Sequence, residues 1–226
     1  MIVASHQPNF MPYMGFFYKM YMCDVFTLSN DVQFSKRGYH NYNHFAEGGE
    51  LVKITVPVSV ESGAAIKTAK LSDWQYHREK LRKRLRSAYA KSFYFEEYFP
   101  QFDSILARDY ERLEELNVDL ILEFARIFDM RCEIVPESSM HLNGNASCQI
   151  VQICKETGCD VYLSGTGAEA YLDTDMLRQN GIKLLWSGYE PIAGYMSNGS
   201  AFDYVMRHGS SLPTRWAIQR RLIRNA

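Results

Sequence analysis

The chain has 226 residues and a formal net charge of −1 at pH 7, with 25 basic and 26 acidic side chains. This balance excludes a global electrostatic attraction to nucleic acid or to an anionic membrane. A chain of this length can bury one large core, so neither disulfides nor a structural metal is needed for stability.

The beginning of the chain predicts a βαβ unit. Residues 1–5 are short and apolar and precede a Gln-Pro-Asn turn, which is typical of a first strand. Pro12 suits the first turn of a helix, apolar residues at helical spacing extend it to Cys23, and residues 24–28 form a second strand. A right-handed parallel crossover then places the first loop at the carboxyl end of the sheet, where open α/β sheets bind ligands.

The rest of the chain predicts more strands and helices around an inserted helical block. Residues 51–58 alternate as a strand, and residues 73–125 form two or three helices broken at Pro100. Later strands are expected at residues 131–135, 160–164 and 182–186, and later helices at residues 147–157, 176–179 and 201–208, with Gly158 ending the first of these helices. The predicted fold class is α/β, with a largely parallel sheet flanked by helices, as a single domain over residues 1–226 with a helical insertion.

The five cysteines are odd in number and contain no CxxC pair. This pattern argues against a disulfide framework and a standard zinc site, so we predict reduced, mostly buried thiols. Reduced thiols, together with an N-terminus that lacks a signal-peptide pattern, indicate a cytoplasmic protein. No apolar run approaches the roughly 18 residues that a spanning helix requires, so no membrane span is predicted.

Two basic runs, from Lys80 to Arg86 and from Arg215 to Arg224, are interpreted as solvated helix faces. Contact with an anion or a polymer is the alternative for each. The aromatic residues at 93–99 are interpreted as core, and a homodimer contact is the alternative.

The first candidate site is His6-Gln7-Pro8-Asn9. An imidazole at the end of the first strand, just ahead of a helix, can meet an anion held at that helix's N-terminus, or it can act as a general acid or base. A turn residue beside a proline is the alternative interpretation.

The second candidate follows the second strand, where acid, amide, cation and aromatic side chains are dense. It contains Asp31-Val32-Gln33-Phe34, Lys36, Arg37, Tyr39, Asn41 and Asn43. Lys36 and Arg37 could clamp a phosphate, and Tyr39 could stack on a base or a sugar. A surface hairpin with a solvated charge pair is the alternative. His40 and His44 are four residues apart but lack an HExxH context, so no metal site is predicted.

The third candidate is Tyr162-Leu163-Ser164-Gly165-Thr166-Gly167-Ala168 with Tyr171. Glycines at a strand-to-helix junction can leave backbone amides free for an oxyanion or a phosphate. The spacing is neither a Walker loop nor GxGxxG, and Tyr162 stands where a nucleophile elbow requires glycine.

These segments resemble the signatures of the WbqC-like family. That family typically reads HQPxxxPWxGxFxK, DVF and DVQF; this chain reads HQPNFMPYMGFFYK at residues 6–19, DVF at 24–26 and DVQF at 31–34. Further landmarks match in the same order: residues 55–58, Trp74, residues 90–95, Leu116-Asn117, Glu137-Ser138-Ser139, residues 162–165, Tyr171-Leu172, and Ser200 with Asp203. Tyr13 stands where the family usually has tryptophan. Residues 40–44 replace an Asn-Arg-Asn type run, so Lys36 or Arg37 would supply the cation there.

The resemblance implies a bacterial protein of O-antigen or related surface-glycan biosynthesis, and it suggests transfer of an acyl or aminoacyl group to an amino sugar. The layout is also similar to adenylyl- and cytidylyltransferase-type Rossmann-like folds, without the second HxGH histidine. The expected small-molecule partner is a nucleotide sugar, and a nucleotide or an acyl donor would be the co-substrate, with no other cofactor assigned. Two alternatives stay open: an ATP-using activating or nucleotidyl-transferring enzyme, and a non-catalytic sugar-nucleotide-binding subunit.

We predict three catalytic residues: His6 as general base or phosphate ligand, with Asp31 and Gln33 orienting the acceptor. The predicted substrate-binding residues are Gln7, Asn9, Lys19, Lys36, Arg37, Asn41, Asn43, Tyr162, Ser164, Gly165, Gly167 and Tyr171.

Overall fold

The structure is a computed structural model that describes residues 1–192 and 199–225. Its strands are β1 (Ile2–His6), β2 (Val25–Leu28), β3 (Tyr42–Glu47), β4 (Glu50–Thr55), β5 (Val58–Ser59), β6 (Lys70–Leu71), β7 (Glu133–Pro136), β8 (Val161–Ser164) and β9 (Lys183–Trp186). Its α-helices are α1 (Met14–Met22), α2 (Trp74–Tyr89), α3 (Phe95–Leu106), α4 (Leu113–Ile127), α5 (Ala146–Thr157), α6 (Thr174–Gln179), α7 (Ala201–His208) and α8 (Thr214–Asn225).

The main sheet contains five parallel strands in the order β7-β2-β1-β8-β9. The chain builds outward from β1 through β2 to β7, and then returns to build outward through β8 and β9. The strand order therefore reverses between β1 and β8, as in a Rossmann-like fold, and ligands bind at the carboxyl ends of the strands beside such a reversal. The predicted α/β class with a parallel sheet flanked by helices is confirmed.

Alternate side chains of the sheet enter two separate hydrophobic cores. Ile2 and Ala4 of β1 face the larger core, which includes residues of α1, α3, α4 and α7, whereas Val3 faces a smaller core with α5 and α6. On β8, Leu163 enters the larger core and Tyr162 the smaller one. A strand covered on both faces is apolar at successive positions, which explains why β1 begins with an unbroken apolar run.

The predicted βαβ unit at the beginning of the chain is confirmed. β1 and β2 are parallel neighbours, and α1 lies between them in the chain. Every residue of α1 except Tyr21 is buried, including the cationic Lys19. Pro12 precedes the helix by two residues instead of occupying its first turn.

The predicted helical insertion consists of α2, α3 and α4, but the predicted break at Pro100 is wrong. Pro100 lies inside α3, where it removes one backbone donor at a cost of about 3 kcal/mol. Phe99 and Phe102 are fully buried on the same helix, and burying each phenylalanine contributes about 1.5–3 kcal/mol. The apolar face of α3 therefore outweighs the local preference of proline for a helix end.

The strand predicted at residues 51–58 is divided in two, and neither part joins the main sheet. β4 pairs antiparallel with β3, a strand that was not predicted from the sequence, and β5 pairs with β6. Phe45 of β3 contacts Phe10 and Phe202, with ring centroids 6.3 Å apart in each pair. The β3–β4 hairpin is thereby anchored on the loop that follows β1.

The later elements lie within about two residues of their predicted bounds. Gly158 ends α5 with a positive φ of 65°, as expected for a glycine that terminates a helix. Phe95 and Phe99 belong to the core, whereas Phe93 is 87% exposed.

All five cysteines are free thiols, and Cys23, Cys154 and Cys159 are buried. Within residues 1–192 and 199–225, no helix combines the length and the apolar character needed to cross a bilayer.

Candidate functional site

A cleft of about 400 Å³ lies at the carboxyl end of the main sheet, beside the reversal of strand order between β1 and β8. We call it the sheet cleft. Ser5 and Ser164 line it from the ends of these two strands, together with Tyr162. Ser5 lies two positions after Val3 on β1, and Ser164 lies two positions after Tyr162 on β8. They therefore share the face of the smaller core and continue it as a polar floor.

A buried carboxylate stands in this floor. Glu137, which follows β7, is only 5% exposed and lines the sheet cleft. Its Oε1 atom accepts hydrogen bonds from Thr27 Oγ1 at 2.6 Å and from Ser29 Oγ at 2.8 Å. Because the one hydroxyl hydrogen of Thr27 goes to Glu137, Ser5 donates in its 2.6 Å contact with Thr27. A chain of hydroxyl groups across β1 and β2 therefore ends on the carboxylate.

His6 is the last residue of β1 and is half-buried. Its ring lies 4.7 Å from that of Phe16, and its Nδ1 atom donates to the backbone oxygen of Gln7 at 3.0 Å in the neutral tautomer that leaves Nε2 unprotonated. Burial and the nearby ammonium of Lys19 lower the pKa of His6 to about 3. His6 is therefore a neutral imidazole at pH 7, and among the described residues its Nε2 atom has no hydrogen-bond partner.

Lys19 brings a cation to the same cleft. It is 7% exposed, and its Nζ atom donates to the backbone oxygen of Ser5 at 2.7 Å. Burial lowers the pKa of Lys19 to about 8, so the ammonium form prevails at pH 7. Within the described ranges no carboxylate lies within ion-pair distance of Lys19, which leaves its other donors for the cleft.

A second cavity of about 350 Å³ adjoins the sheet cleft at His6 and Gln7, which line both. We call it the loop cavity, because it lies between the loop after β1 and the segment before β3. Its lining residues are His6, Gln7, Asn9, Tyr13, Gly38, Tyr39 and Asn43. Among the described residues no charged side chain belongs to this lining, so the loop cavity suits an uncharged group with hydrogen-bonding edges.

Gln7 is oriented by a buried histidine. The backbone N–H of Ser35 donates to Nδ1 of His40 at 3.2 Å, so His40 carries its proton on Nε2 and donates it to Oε1 of Gln7 at 2.8 Å. Burial lowers the pKa of His40 to about 4 and keeps it neutral. The Gln7 oxygen is thus occupied, and its NH₂ group is the part left for a ligand.

Asn9 and Asn117 complete this region. Asn9 lines the loop cavity at 5% exposure, and its Oδ1 atom is buried without a hydrogen-bond partner in the described part of the chain. Asn117 of α4 donates to the backbone oxygens of Pro8 and His40, both at 2.8 Å. Asn117 therefore holds the two loops together, while the Asn9 side chain lines the loop cavity with its Oδ1 atom buried.

The loop after β8 forms another wall of the sheet cleft. Gly165, Gly167 and Tyr171 line the cleft, and Tyr171 is 65% exposed. Neither glycine has a positive φ, and a Cβ atom added to either would meet no atom within 4 Å. The backbone conformation therefore does not require glycine at either position. The lack of a side chain instead keeps this wall of the cleft open. Burial raises the pKa of the Tyr162 hydroxyl, so it remains a donor.

Four of the predicted residues line neither cavity, although each is within two positions in the chain of a lining residue. Asp31 and Gln33 are exposed on either side of Val32, which lines the sheet cleft, and Asp31 forms a 2.8 Å ion pair with Lys67. Lys36 and Arg37 are exposed and immediately precede Gly38 and Tyr39 of the loop cavity.

Two predicted asparagines hold the backbone in place. Asn41 donates to the backbone oxygen of Val56 at 2.8 Å. Asn43 is buried, donates to the oxygens of Phe10 and Met11, and accepts from the N–H of His44. Its whole amide is engaged, so Asn43 shapes the loop cavity.

The structure brings together ten of the predicted residues around the two cavities: His6, Gln7, Asn9, Lys19, Asn43, Tyr162, Ser164, Gly165, Gly167 and Tyr171. The helix whose first turn lines the sheet cleft is α5, through Ala146, and not the expected α1. Glu137, Ser5, Thr27 and Ser29 were missed as site residues, although Glu137-Ser138-Ser139 was one of the family landmarks. No group of three metal-ligating side chains is found among the described residues.

Comparison with known proteins places the chain in a family. An uncharacterized protein of Mycobacterium tuberculosis, Rv1507c, is 25% identical over 212 residues, which span 89% of this chain and 88% of that protein. The sequence model of the WbqC-like protein family matches residues 7–210. This range begins at Gln7, directly after His6, and it includes the loops that follow β1 and β8 as well as Glu137. The chain belongs to the WbqC-like protein family.

Proposed function

We propose that this WbqC-like protein transfers an acyl or aminoacyl group from an activated donor to the amine of a nucleotide-linked amino sugar, in the biosynthesis of a surface glycan. The observation that carries the proposal is the position of His6. It lies where two cavities of about 400 and 350 Å³ meet, at the carboxyl end of β1. Two adjoining cavities suit two substrates, and a neutral imidazole between them suits proton transfer during their reaction.

In this mechanism the amine nitrogen of the sugar attacks the carbonyl carbon of the donor. A C–N bond forms, the bond from the carbonyl carbon to the leaving group breaks, and the amine loses one proton. Nε2 of His6 accepts that proton and passes it to the leaving group. The pKa of His6 is about 3, so its Nε2 atom is unprotonated at pH 7 and open to the proton. An imidazole of such low basicity passes the proton on to the leaving group as the bond to that group breaks.

The charge distribution supports one assignment of the two substrates. The sheet cleft contains Lys19 and Glu137, so we assign the activated acyl donor to it. The described lining of the loop cavity bears no charge and includes the amide side chains of Gln7 and Asn9, so we assign the sugar to it. Lys36 and Arg37, which precede Gly38 and Tyr39 of its lining, would then bind the phosphates of the nucleotide. Asp31 and Gln33 were expected to orient the acceptor; because they flank Val32 of the sheet cleft, they would contact the donor in this assignment.

The test is a turnover assay with purified protein. Nucleotide-linked amino sugars are combined with acyl and aminoacyl thioesters and acyl phosphates, and acylated product is measured by mass spectrometry. We expect product with the wild type, at least a hundredfold lower turnover with His6→Gln, and unchanged turnover with His141→Gln, an exposed histidine outside both cavities.

Two results would contradict the proposal. Release of pyrophosphate from ATP without acyl transfer would indicate an activating or nucleotidyl-transferring enzyme. Binding of a nucleotide sugar without turnover of any donor would indicate a binding subunit.

A further inference from the structure

We propose that Glu137 is the recognition site for a primary ammonium group on the donor, so that the transferred group is an aminoacyl group and not an uncharged acyl group. This inference rests on the proposed function and adds the chemical class of its donor.

The first observation is that Glu137 forms no direct ion pair in the described part of the chain, and that the ammonium of Lys19 acts on it only across the cleft. It is 5% exposed, and no lysine, arginine or histidine there lies within ion-pair distance of it. An unpaired buried carboxylate is costly to the folded state. A cation that enters with a ligand would offset that cost, which favours binding of a positively charged group.

The second observation is that the two carboxylate oxygens have different surroundings. Oε1 accepts the hydroxyl groups of Thr27 and Ser29. Oε2 accepts no hydrogen bond from the described residues. It is not a fully buried atom, so a ligand in the cleft can reach it. The protein thus fixes the orientation of the carboxylate through one oxygen and leaves the other for a ligand.

The third observation is that the cleft separates its own two charges. Lys19 lines the same cleft but donates to the backbone oxygen of Ser5 and forms no ion pair with Glu137. A ligand that bears an ammonium group can therefore reach Glu137 without displacing a protein cation. An ammonium group has three donors, which can bond to Oε2 and to the lone pairs that remain on the hydroxyl oxygens of Ser5 and Ser29 in the same cleft.

The position of this site relative to His6 fits a non-reacting amine. A carboxylate stabilises the protonated form of an amine, whereas the attacking amine of the acceptor must be unprotonated. Glu137 is therefore suited to hold the ammonium of the donor while His6, on the boundary with the loop cavity, meets the acceptor amine.

The experiment compares two isosteric probes by calorimetric titration at pH 7. Glycinamide carries a primary ammonium, and glycolamide carries a hydroxyl group in its place. We expect the wild type to bind glycinamide at least tenfold more tightly than glycolamide, and Glu137→Gln to lose this preference. Glu133→Gln, the same substitution at an exposed position of β7, is the matched control and keeps it.

A second variant tests the site without altering Glu137, in case Glu137→Gln loses binding because it does not fold. Gly165 has a φ of −74°, and a side chain there has open space, so Gly165→Val is compatible with folding while narrowing the sheet cleft. It is expected to weaken glycinamide binding at least tenfold with Glu137 intact. Equal binding of the two probes to the wild type, no binding of glycinamide, or an undiminished preference in Glu137→Gln would each overturn the inference.

The failure of this inference and that of the proposed function are distinguishable. If the wild type turns over uncharged acyl donors but does not bind glycinamide, the transferase proposal holds and the ammonium site is wrong. If it binds glycinamide selectively but transfers no acyl group, the ammonium site holds and the transferase proposal is wrong.

Discussion

His40 donates a hydrogen bond of 2.8 Å from Nε2 to Oε1 of Gln7, a residue 33 positions earlier in the chain. The contact joins the loop after β1 to the segment before β3. It fixes which end of the Gln7 amide faces the two cavities, because the amide oxygen is occupied and the NH₂ group is not. A buried histidine thus acts on the ligand site through the residue that it orients.

The first prediction concerns this contact. In His40→Phe, the ring fills the same space but neither donates to Gln7 nor accepts from the N–H of Ser35. One oriented hydrogen bond contributes about 0.5–1.5 kcal/mol, so we expect affinity for the nucleotide sugar to fall up to about tenfold, with about 1–3 kcal/mol lost from the free energy of unfolding. Titration and urea denaturation measure the two effects. His141→Phe is the control, and unchanged affinity in His40→Phe would show that Gln7 does not bind the ligand through this orientation.

The second prediction is a pH dependence of stability. The pKa of His40 is about 4 in the folded state, against about 6.5 in an unfolded chain. Between these values the unfolded state binds a proton that the native state does not, so the contribution of His40 is fully present above pH 6.5 and is lost as the pH falls towards 4. His6, with a pKa of about 3, acts in the same direction.

Urea denaturation between pH 7 and pH 4 tests this dependence by difference. The gap in free energy of unfolding between the wild type and His40→Gln should shrink by up to about 1.4 kcal/mol per pH unit below 6.5. Comparison with a variant cancels the carboxylates that titrate in the same range. A gap that stays constant down to pH 4 would mean that His40 is not buried as a neutral side chain.

Local patterns were sufficient to predict the frame of the fold. The strand at residues 1–5, the helix that follows it and the glycine that ends α5 each depend on neighbours in sequence, so they could be predicted from the sequence. β3 could not, because its polar and aromatic residues at 42–47 become a strand only through β4 and through the contact of Phe45 with Phe202. The same holds for Pro100, which is retained in α3 by burial of the helix face.

The candidate site likewise contains residues that the sequence predicts and residues that it does not. His6 was predicted because strand, turn and histidine are adjacent in the chain. Glu137 was missed because its partners, Thr27 and Ser29, are 110 and 108 residues away. Only the parallel pairing of β2 with β7 brings these three residues together.

The third prediction concerns the packing of Tyr13. A Cβ atom at Gly15 would collide with the ring of Tyr13, which lines the loop cavity. Gly15→Ala should therefore displace the Tyr13 ring and weaken binding of the sugar at least tenfold, although alanine favours the helix by up to about 1 kcal/mol. Titration of the variant with the nucleotide sugar measures the effect. Gly188→Ala, outside both cavities and with no atom within 4 Å of an added Cβ, is the control, and equal affinity of the two variants would contradict the prediction.

The last prediction concerns the buried ammonium of Lys19. Its pKa is about 8 in the folded state and near 10.4 in an unfolded chain. Below pH 8 both states carry the proton and the folded state bears the full cost of burying the charge. Between pH 8 and 10.4 only the unfolded state keeps the proton, so this cost is relieved as the pH rises.

Lys19→Met removes the charge and keeps most of the length of the side chain. The free energy of unfolding of the wild type, minus that of Lys19→Met, should rise by up to about 1.4 kcal/mol per pH unit between pH 8 and pH 10. The difference is the quantity to measure, because buried tyrosines and cysteines titrate in the same range in both proteins. Lys36→Met, at an exposed position, should show no such rise.

Over the same range the wild type should also lose affinity for an anionic donor, because the ammonium of Lys19 in the sheet cleft loses its charge. If the stability difference rises while donor affinity stays constant, Lys19 is a buried structural cation and the donor does not contact it.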